Sequence, residues 1–215
     1  MVITMNIKSN LQRKEPHKPL IICLGDSFTR GLGVSRRSNW ISQINDTNFD
    51  IINAGINGDT TSGMLARLHT DVIDEHADYV LITGGINDFI IGSSIDIPKN
   101  NYMALVHQAI HNQIAPIVGI APAFDLLSVR EDWANFSDFV DVATKQLELN
   151  KWLREFADVF HLPSFDFYEA LETVKSQQTL ANEEYYIDGI HLTADSHKLI
   201  ATSAEEMIKN LLQLR

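Results

Sequence analysis

Cysteine is almost absent from this 215-residue chain: Cys23 stands alone. Neither an internal disulfide nor a zinc site built from several thiolates is available to it. Positive charge is also scarce. Seventeen lysines and arginines face 28 aspartates and glutamates, a formal net charge of −11. Such a balance works against tight binding to nucleic-acid phosphates or anionic lipid. The basic residues that cluster are few: Arg36 with Arg37, and Lys8, Arg13, Lys14 and Lys18 near the start. No apolar run reaches the roughly 20 residues of a membrane-spanning helix, so stable membrane insertion is not expected. Residues 1–18 lack the apolar h-region of a signal peptide and read as a flexible polar leader on a cytoplasmic protein. Internal repeats, low-complexity tracts and linkers are missing, so residues 19–215 read as one domain.

What remains has the composition of an ordinary globular protein, 45% hydrophobic and 21% charged, able to bury a core without staples. Cys23 lies inside an apolar run and reads as a small buried hydrophobe. Five runs read as strands: Leu20 to Leu24, Phe49 to Asn53, Tyr79 to Thr83, Ile117 to Ala121 and Val159 to Phe165. Most are rich in Ile, Val and Leu, as strands covered on both faces require. Between and after them lie helical periodicities over Trp40 to Ile44, Thr60 to Glu75, Tyr102 to Ile114, Phe139 to Phe156 and Ala194 to Leu214, the last with Thr193 as N-cap. Residues 124–138 read as an irregular stretch with a short helix. Strand–helix alternation predicts an α/β fold, a parallel sheet with helices on both faces.

In such a sheet ligands bind beyond the carboxyl ends of the strands. The residues placed there are Gly25-Asp26-Ser27, Asn53-Ala54-Gly55-Ile56-Asn57-Gly58-Asp59-Thr60 and Gly84-Gly85-Ile86-Asn87-Asp88. Asp188-Gly189-Ile190-His191 precedes the last helix. Taken singly, each has an ordinary explanation. Ser27 and Gly58 are turn residues, Asn87 and His191 fit helix caps, and Asp26, Asp59 and Asp88 fit side-chain caps. Taken together they are the parts of an acyl-transfer site. A serine hydroxyl needs a base, which His191 can supply, and an imidazole needs a carboxylate such as Asp188 to hold its tautomer. The oxyanion needs donors, which the backbone N–H groups of Ser27 and Gly58 and the Asn87 amide can provide.

Four segments carry a resemblance to a known family. GDSFTRGLG, NAGINGDTTSGMLARL, GGIND and DGIHLT stand in the order of the sequence blocks of the SGNH hydrolases, also called the GDSL family of esterases and lipases. The resemblance runs from about Leu20 to the C-terminus. It implies a three-layer α/β/α flavodoxin-like fold with a five-stranded parallel sheet. It implies Ser27 as nucleophile, Asp188 and His191 as acid and base, and Ser27, Gly58 and Asn87 as the oxyanion hole. The expected reaction is cleavage of small acyl esters, thioesters or acetylated sugars through a Ser27 acyl-enzyme, with no metal or nucleotide. Phe28 stands where the family's name has leucine, at a position that does not carry the chemistry.

Phe28, Phe89 and Phe124 are expected to line the substrate pocket, with Ile90, Trp133 and Phe136 in adjoining loops. His107 and His111 have a metal-ligand spacing, but no glutamate follows His107 and no third ligand is evident. GDTTSG lacks the lysine of a phosphate-binding loop, and the serine lacks the G-x-S-x-G elbow of the α/β-hydrolases. The alternative to an esterase is a non-catalytic module that holds an acyl or sugar ligand in the same crevice. The oligomeric state is not legible in the sequence.

Overall fold

The computed structural model describes residues 18–177 and 184–213; the leader expected over residues 1–18 falls, except for Lys18, outside them. Five strands alternate with helices: β1 (Leu20–Gly25), α1 (Ser27–Arg30), α2 (Trp40–Gln43), β2 (Asp50–Gly55), α3 (Thr61–Leu68), β3 (Tyr79–Thr83), α4 (Ile86–Ile90), α5 (Asp96–His111), β4 (Ala115–Ile120), α6 (Glu131–Phe136), α7 (Phe139–Phe160), β5 (Ser164–Asp166), α8 (Phe167–Gln177) and α9 (Ala194–Leu211). The strands form one parallel sheet in the order β2-β1-β3-β4-β5. The order reverses between β1 and β3, and a crevice opens at such a switch point beyond the carboxyl ends of the two strands.

Alternation within each strand builds the three layers. In β1, Ile22 and Leu24 face the cluster that takes Val80 and Ile82 of β3, Met64 and Leu68 of α3, Leu105 of α5 and Leu149 and Leu153 of α7. Ile21 and Cys23 face the opposite cluster, with Trp40 of α2, Leu171 of α8 and Ile200, Ala204 and Ile208 of α9. Successive side chains point to opposite faces of a strand. A run apolar at every position therefore needs helices on both sides, and β1 has them. Cys23 is buried, and burial raises its thiol pKa well above the ordinary range.

Several boundaries differ from the sequence expectation: the helix expected over Tyr102 to Ile114 begins at Asp96, and the one expected over Thr60 to Glu75 is α-helical over Thr61–Leu68 with a wider turn at His69–Ile73. Val159 and Phe160 belong to α7, not to β5, and both are exposed. The helix α7 runs on past its last buried residue, Ala157, to Phe160, after which His161 closes it in a left-handed conformation. Residues 167–177 form α8, a helix that the apolar pattern alone did not separate from the irregular sequence after β5. The 124–138 stretch matches its expected character, with one 3₁₀ turn at Leu126–Ser128 followed by α6. Among the described residues, no helix is long and apolar enough to cross a membrane.

Candidate active site

Ser27 sits where β1 ends, as the first residue of α1. Asp26 caps that helix, its side chain accepting from the Phe28 N–H at 2.9 Å. The turn is tight because Gly25 has no side chain: a Cβ there would overlap the Thr29 hydroxyl and the Thr83 carbonyl. The strand can then deliver Ser27 to the sheet edge with its side chain 7% exposed.

The partner of Ser27 comes from a position 164 residues later. Ser27 Oγ and His191 Nε2 are 3.0 Å apart, and His191 Nδ1 and Asp188 Oδ2 are 2.8 Å apart. With a carboxylate facing Nδ1, that nitrogen carries the proton and donates, leaving Nε2 to accept from the serine hydroxyl. Asp188 also holds its own turn, since Oδ1 accepts from the N–H groups of Ile190 and His191 at 3.1 and 2.8 Å. Burial alone would raise the Asp188 pKa. The hydrogen bonds from the His191 ring and backbone and from Ile190 outweigh it and hold the carboxyl at about 2. The turn is fixed from below by an isolated antiparallel bridge between Tyr186 and Leu192. From the side, Asp125 N–H donates to the Gly189 carbonyl at 2.7 Å and Arg130 N–H to the Asp188 carbonyl at 3.2 Å.

The loops after β2 and β3 close on the same edge. Ile56 N–H donates to the Gly25 carbonyl at 3.0 Å, anchoring the Gly58 loop to the end of β1. Gly58 is exposed and has φ +75°, a left-handed conformation that glycine adopts without cost. Asn87 Nδ2 donates to the Asp59 carbonyl at 2.9 Å, so the third loop is tied to the second one residue beyond Gly58. One Asn87 amide proton is used in that bond and the other remains for a further acceptor. Asp88 is buried; its carboxylate accepts from the Thr61 N–H at 2.9 Å and from the Thr61 hydroxyl at 2.7 Å. It thereby pins the start of α3 to α4. Asp59 is not a cap. Its carboxylate accepts from Arg67 Nε at 2.8 Å.

Arg67 itself escaped the sequence reading. It sits on α3 with its side chain 13% exposed. Besides Asp59 it donates to the Ala54 carbonyl at 2.8 Å, the Gly25 carbonyl at 2.9 Å and Asp71 at 2.7 Å. Its guanidinium thus joins the ends of β1 and β2 to the loop that carries Gly58. Nothing in the sequence distinguishes it from a solvated helix arginine.

A narrow cleft of about 40 Å³ lies beside Ser27 and His191. Phe28 and Phe124 line it. Phe89 does not: it is 1% exposed and packed in the core. Two residues along a helix is a rotation of about 200°, so Phe89 points away from the face that carries Asn87. Trp133 is partly buried against the core and Phe136 is exposed. Polar members of the lining that the sequence did not flag are Thr83, Gln146 and His197. The His197 ring lies nearly parallel to Phe28, at 12°, with centroids 6.3 Å apart. Burial, with the nearby His191 charge, lowers its pKa to about 4. His107 and His111 lie on α5, and the described residues contain no cluster of three or more potential metal ligands.

Comparison with known proteins places this arrangement. The family model described as GDSL-like Lipase/Acylhydrolase matches residues 23–199. The uncharacterized lipoprotein YqeF of Bacillus subtilis is 37% identical over 79 residues, 33% of this chain and 32% of that protein. The match to that relative therefore spans about a third of its length. An arylesterase of Vibrio mimicus is 28% identical over 204 residues, 89% of each chain. Est24, a carbohydrate acetylesterase from Sinorhizobium meliloti, shares the fold with a TM-score of 0.76 at 19% identity, over 90% of this chain and 100% of that one. With the family model covering most of its length, the chain belongs to the GDSL-like lipase/acylhydrolase family.

Proposed function

We propose that this protein is a serine esterase that cleaves small acyl esters through an acyl-enzyme on Ser27. The observation that carries the proposal is the unbroken hydrogen-bonded line from Ser27 through His191 to Asp188, assembled from two ends of the chain. As the Ser27 oxygen attacks the ester carbonyl, its proton passes to His191 Nε2. Asp188, with its pKa held near 2, stays ionised at any working pH and stabilises the imidazolium that forms. His197, with its pKa near 4, stays neutral and does not repel that cation. The oxyanion is placed against the N–H groups of Ser27 and Gly58 and the free proton of the Asn87 amide. The imidazolium then protonates the departing alcohol. A water molecule, deprotonated by the same histidine, attacks the acyl carbonyl, releases the acid and restores the Ser27 hydroxyl.

The apolar lining and small size of the cleft favour short acyl or alcohol groups over long chains. The test is hydrolysis of 4-nitrophenyl acetate and butyrate by the wild type and three variants. Ser27→Ala and His191→Ala are each expected to lose several orders of magnitude in kcat, and Asp188→Asn less than either. Equal rates for wild type and Ser27→Ala would refute the proposal.

A further inference from the structure

The residue after Ser27 is aromatic, and its ring lines the cleft together with Ser27 and His191. The Phe28 side chain is partly buried against the cluster on the α9 side of the sheet. Three rings hold it there. Trp40 lies nearly parallel to it, at 17°, with centroids 5.9 Å apart, and Phe167 meets it at 65° and 5.1 Å. His197 is the third, also nearly parallel. Trp40 and Phe167 touch each other at 5.2 Å, and all three rings are buried. Phe28 thus stands as a stopper between the cleft and an aromatic box packed into the core.

The space that this stopper leaves is small. A cleft of about 40 Å³ takes about three water-sized groups, at about 10–15 Å³ each. That is an acetyl group, and a butyl or hexyl chain overflows it. Ile86, Ala121 and Pro122 line the cleft with side chains too short to free much room. The two large members are Phe28 and Phe124. Phe124 stands before the irregular 125–130 strap and rests edge to face on Phe139 at 5.9 Å. Phe28 adjoins the nucleophile itself, and what lies behind its ring is apolar and enclosed. Space vacated there suits a hydrocarbon chain.

We propose that Phe28 sets the length limit of this cleft: its ring occupies the space into which a longer unbranched limb of an ester would extend. The inference rests on the serine-esterase proposal for its reaction, but the stopper is a matter of packing that binding alone can read. What Phe28 gives to the nucleophile's turn is its backbone N–H, which donates to Asp26, and every residue except proline keeps that group. Size selection and nucleophile placement are therefore separable at this position. Each methylene that passes into the vacated apolar space is worth about fourfold in an equilibrium.

The limb can be the acyl chain or the alcohol, and two ester series separate these cases. 4-Nitrophenyl acetate, butyrate and hexanoate vary the acyl chain. Ethyl, butyl and hexyl acetate vary the alcohol. For each protein the kcat/KM of the longest ester is divided by that of the shortest, and variants are compared by this ratio, so the esters' own reactivities cancel. In one series the ratio is expected to rise at least about tenfold from wild type to Phe28→Ala. Phe28→Leu should raise it less, by about two- to fourfold, and keeps the test open if the alanine variant fails to fold. Ratios within twofold of wild type for Phe28→Ala in both series would overturn the assignment, as would a rise in Phe124→Ala as large as that in Phe28→Ala. Calorimetric titration of methyl hexanoate and hexyl acetate into Ser27→Ala, with and without Phe28→Ala, gives a readout free of turnover. The double variant is expected to bind one of these esters at least about tenfold more tightly, even if the esterase proposal fails, and equal affinities overturn the stopper. If the wild type hydrolyses no ester while that difference in binding stands, the esterase proposal alone falls.

Discussion

Replacing Arg67 by methionine is the perturbation that best separates scaffold from chemistry. Methionine keeps the length and apolar stem of the side chain but removes four hydrogen bonds, to Asp59, Ala54, Gly25 and Asp71. The Asp71 pair is partly exposed, at 35%, and pairs of that kind contribute at most about 1 kcal/mol. Asp59 is different. Its side chain is 11% exposed and would be left as an unpaired carboxylate. Breaking a buried pair by removing one member costs about 3–5 kcal/mol. For a chain of this size each kcal/mol moves the melting temperature by about 2–4 °C, so a fall of about 6–20 °C is expected. The Gly25 carbonyl retains its bond from Ile56 N–H, so β1 should hold while the Gly58 loop loosens. Asp59 follows Gly58 directly and also receives the Asn87 amide, so two of the three proposed oxyanion donors lose their support. A full donor is worth about 100- to 1000-fold in kcat, and displacement of two should cost at least about tenfold. Thermal denaturation and 4-nitrophenyl ester hydrolysis at a temperature where the variant is fully folded measure both effects. Adding Asp59→Asn removes the orphaned charge and should recover part of the stability but not the rate. If Arg67→Met melts within about 2 °C of wild type and turns over at the same rate, the bracing role is refuted.

Two further outcomes are specific to single residues. Burial pushes the Asp26 carboxyl up to about 6 from its ordinary 3.8, against the opposing bond from Phe28 N–H. Between those values the folded chain holds a proton that the unfolded chain has released, so this group lowers stability as pH rises through the window. Asp26→Asn keeps the cap without the titration. Its stability relative to wild type should therefore grow from pH 4 to pH 7 by up to about 3 kcal/mol, read by urea unfolding. A difference that stays constant with pH would exclude a buried, titrating Asp26. At Gly58 a Cβ would meet nothing within 4 Å, and only the positive φ of +75° opposes a side chain. Gly58→Ala should cost about 1–2 kcal/mol, and a loss above about 3 kcal/mol by the same assay would mean that the position is not open.

Much of this molecule was legible before any coordinates. β1 and β3 announced themselves because strands buried on both faces cannot afford a polar position, and Ile21-Ile22-Cys23-Leu24 has none. The loops after β1, β2 and β3 were legible because a glycine or asparagine at a strand end has few other uses in such a series. The end of α7 was not legible: Val159 and Phe160 are apolar yet exposed, and apolarity says nothing of which side faces water. Phe89 was misplaced for the same reason, since adjacency to Asn87 in sequence is opposition on a helix. Arg67, Thr83, Gln146 and His197 carry no local signal at all. Their significance is a matter of which carbonyls, amides and rings the tertiary fold brings against them, and no periodicity encodes that.

The strap from residues 125–130 has a consequence for how the protein can change. Its amides at Asp125 and Arg130 hold the carbonyls of Gly189 and Asp188, while neighbouring Phe124 forms part of the wall of the cleft beside Ser27. Under the proposed mechanism, entry to the cleft and proton handling are thereby mechanically joined. A mutation that widens the entrance by shifting this strap also slackens the turn that aims the imidazole, so new substrate ranges reached through it come with slower turnover. The freer route to altered selectivity runs through walls that lie on other segments of the chain, such as Leu32 or Ile86.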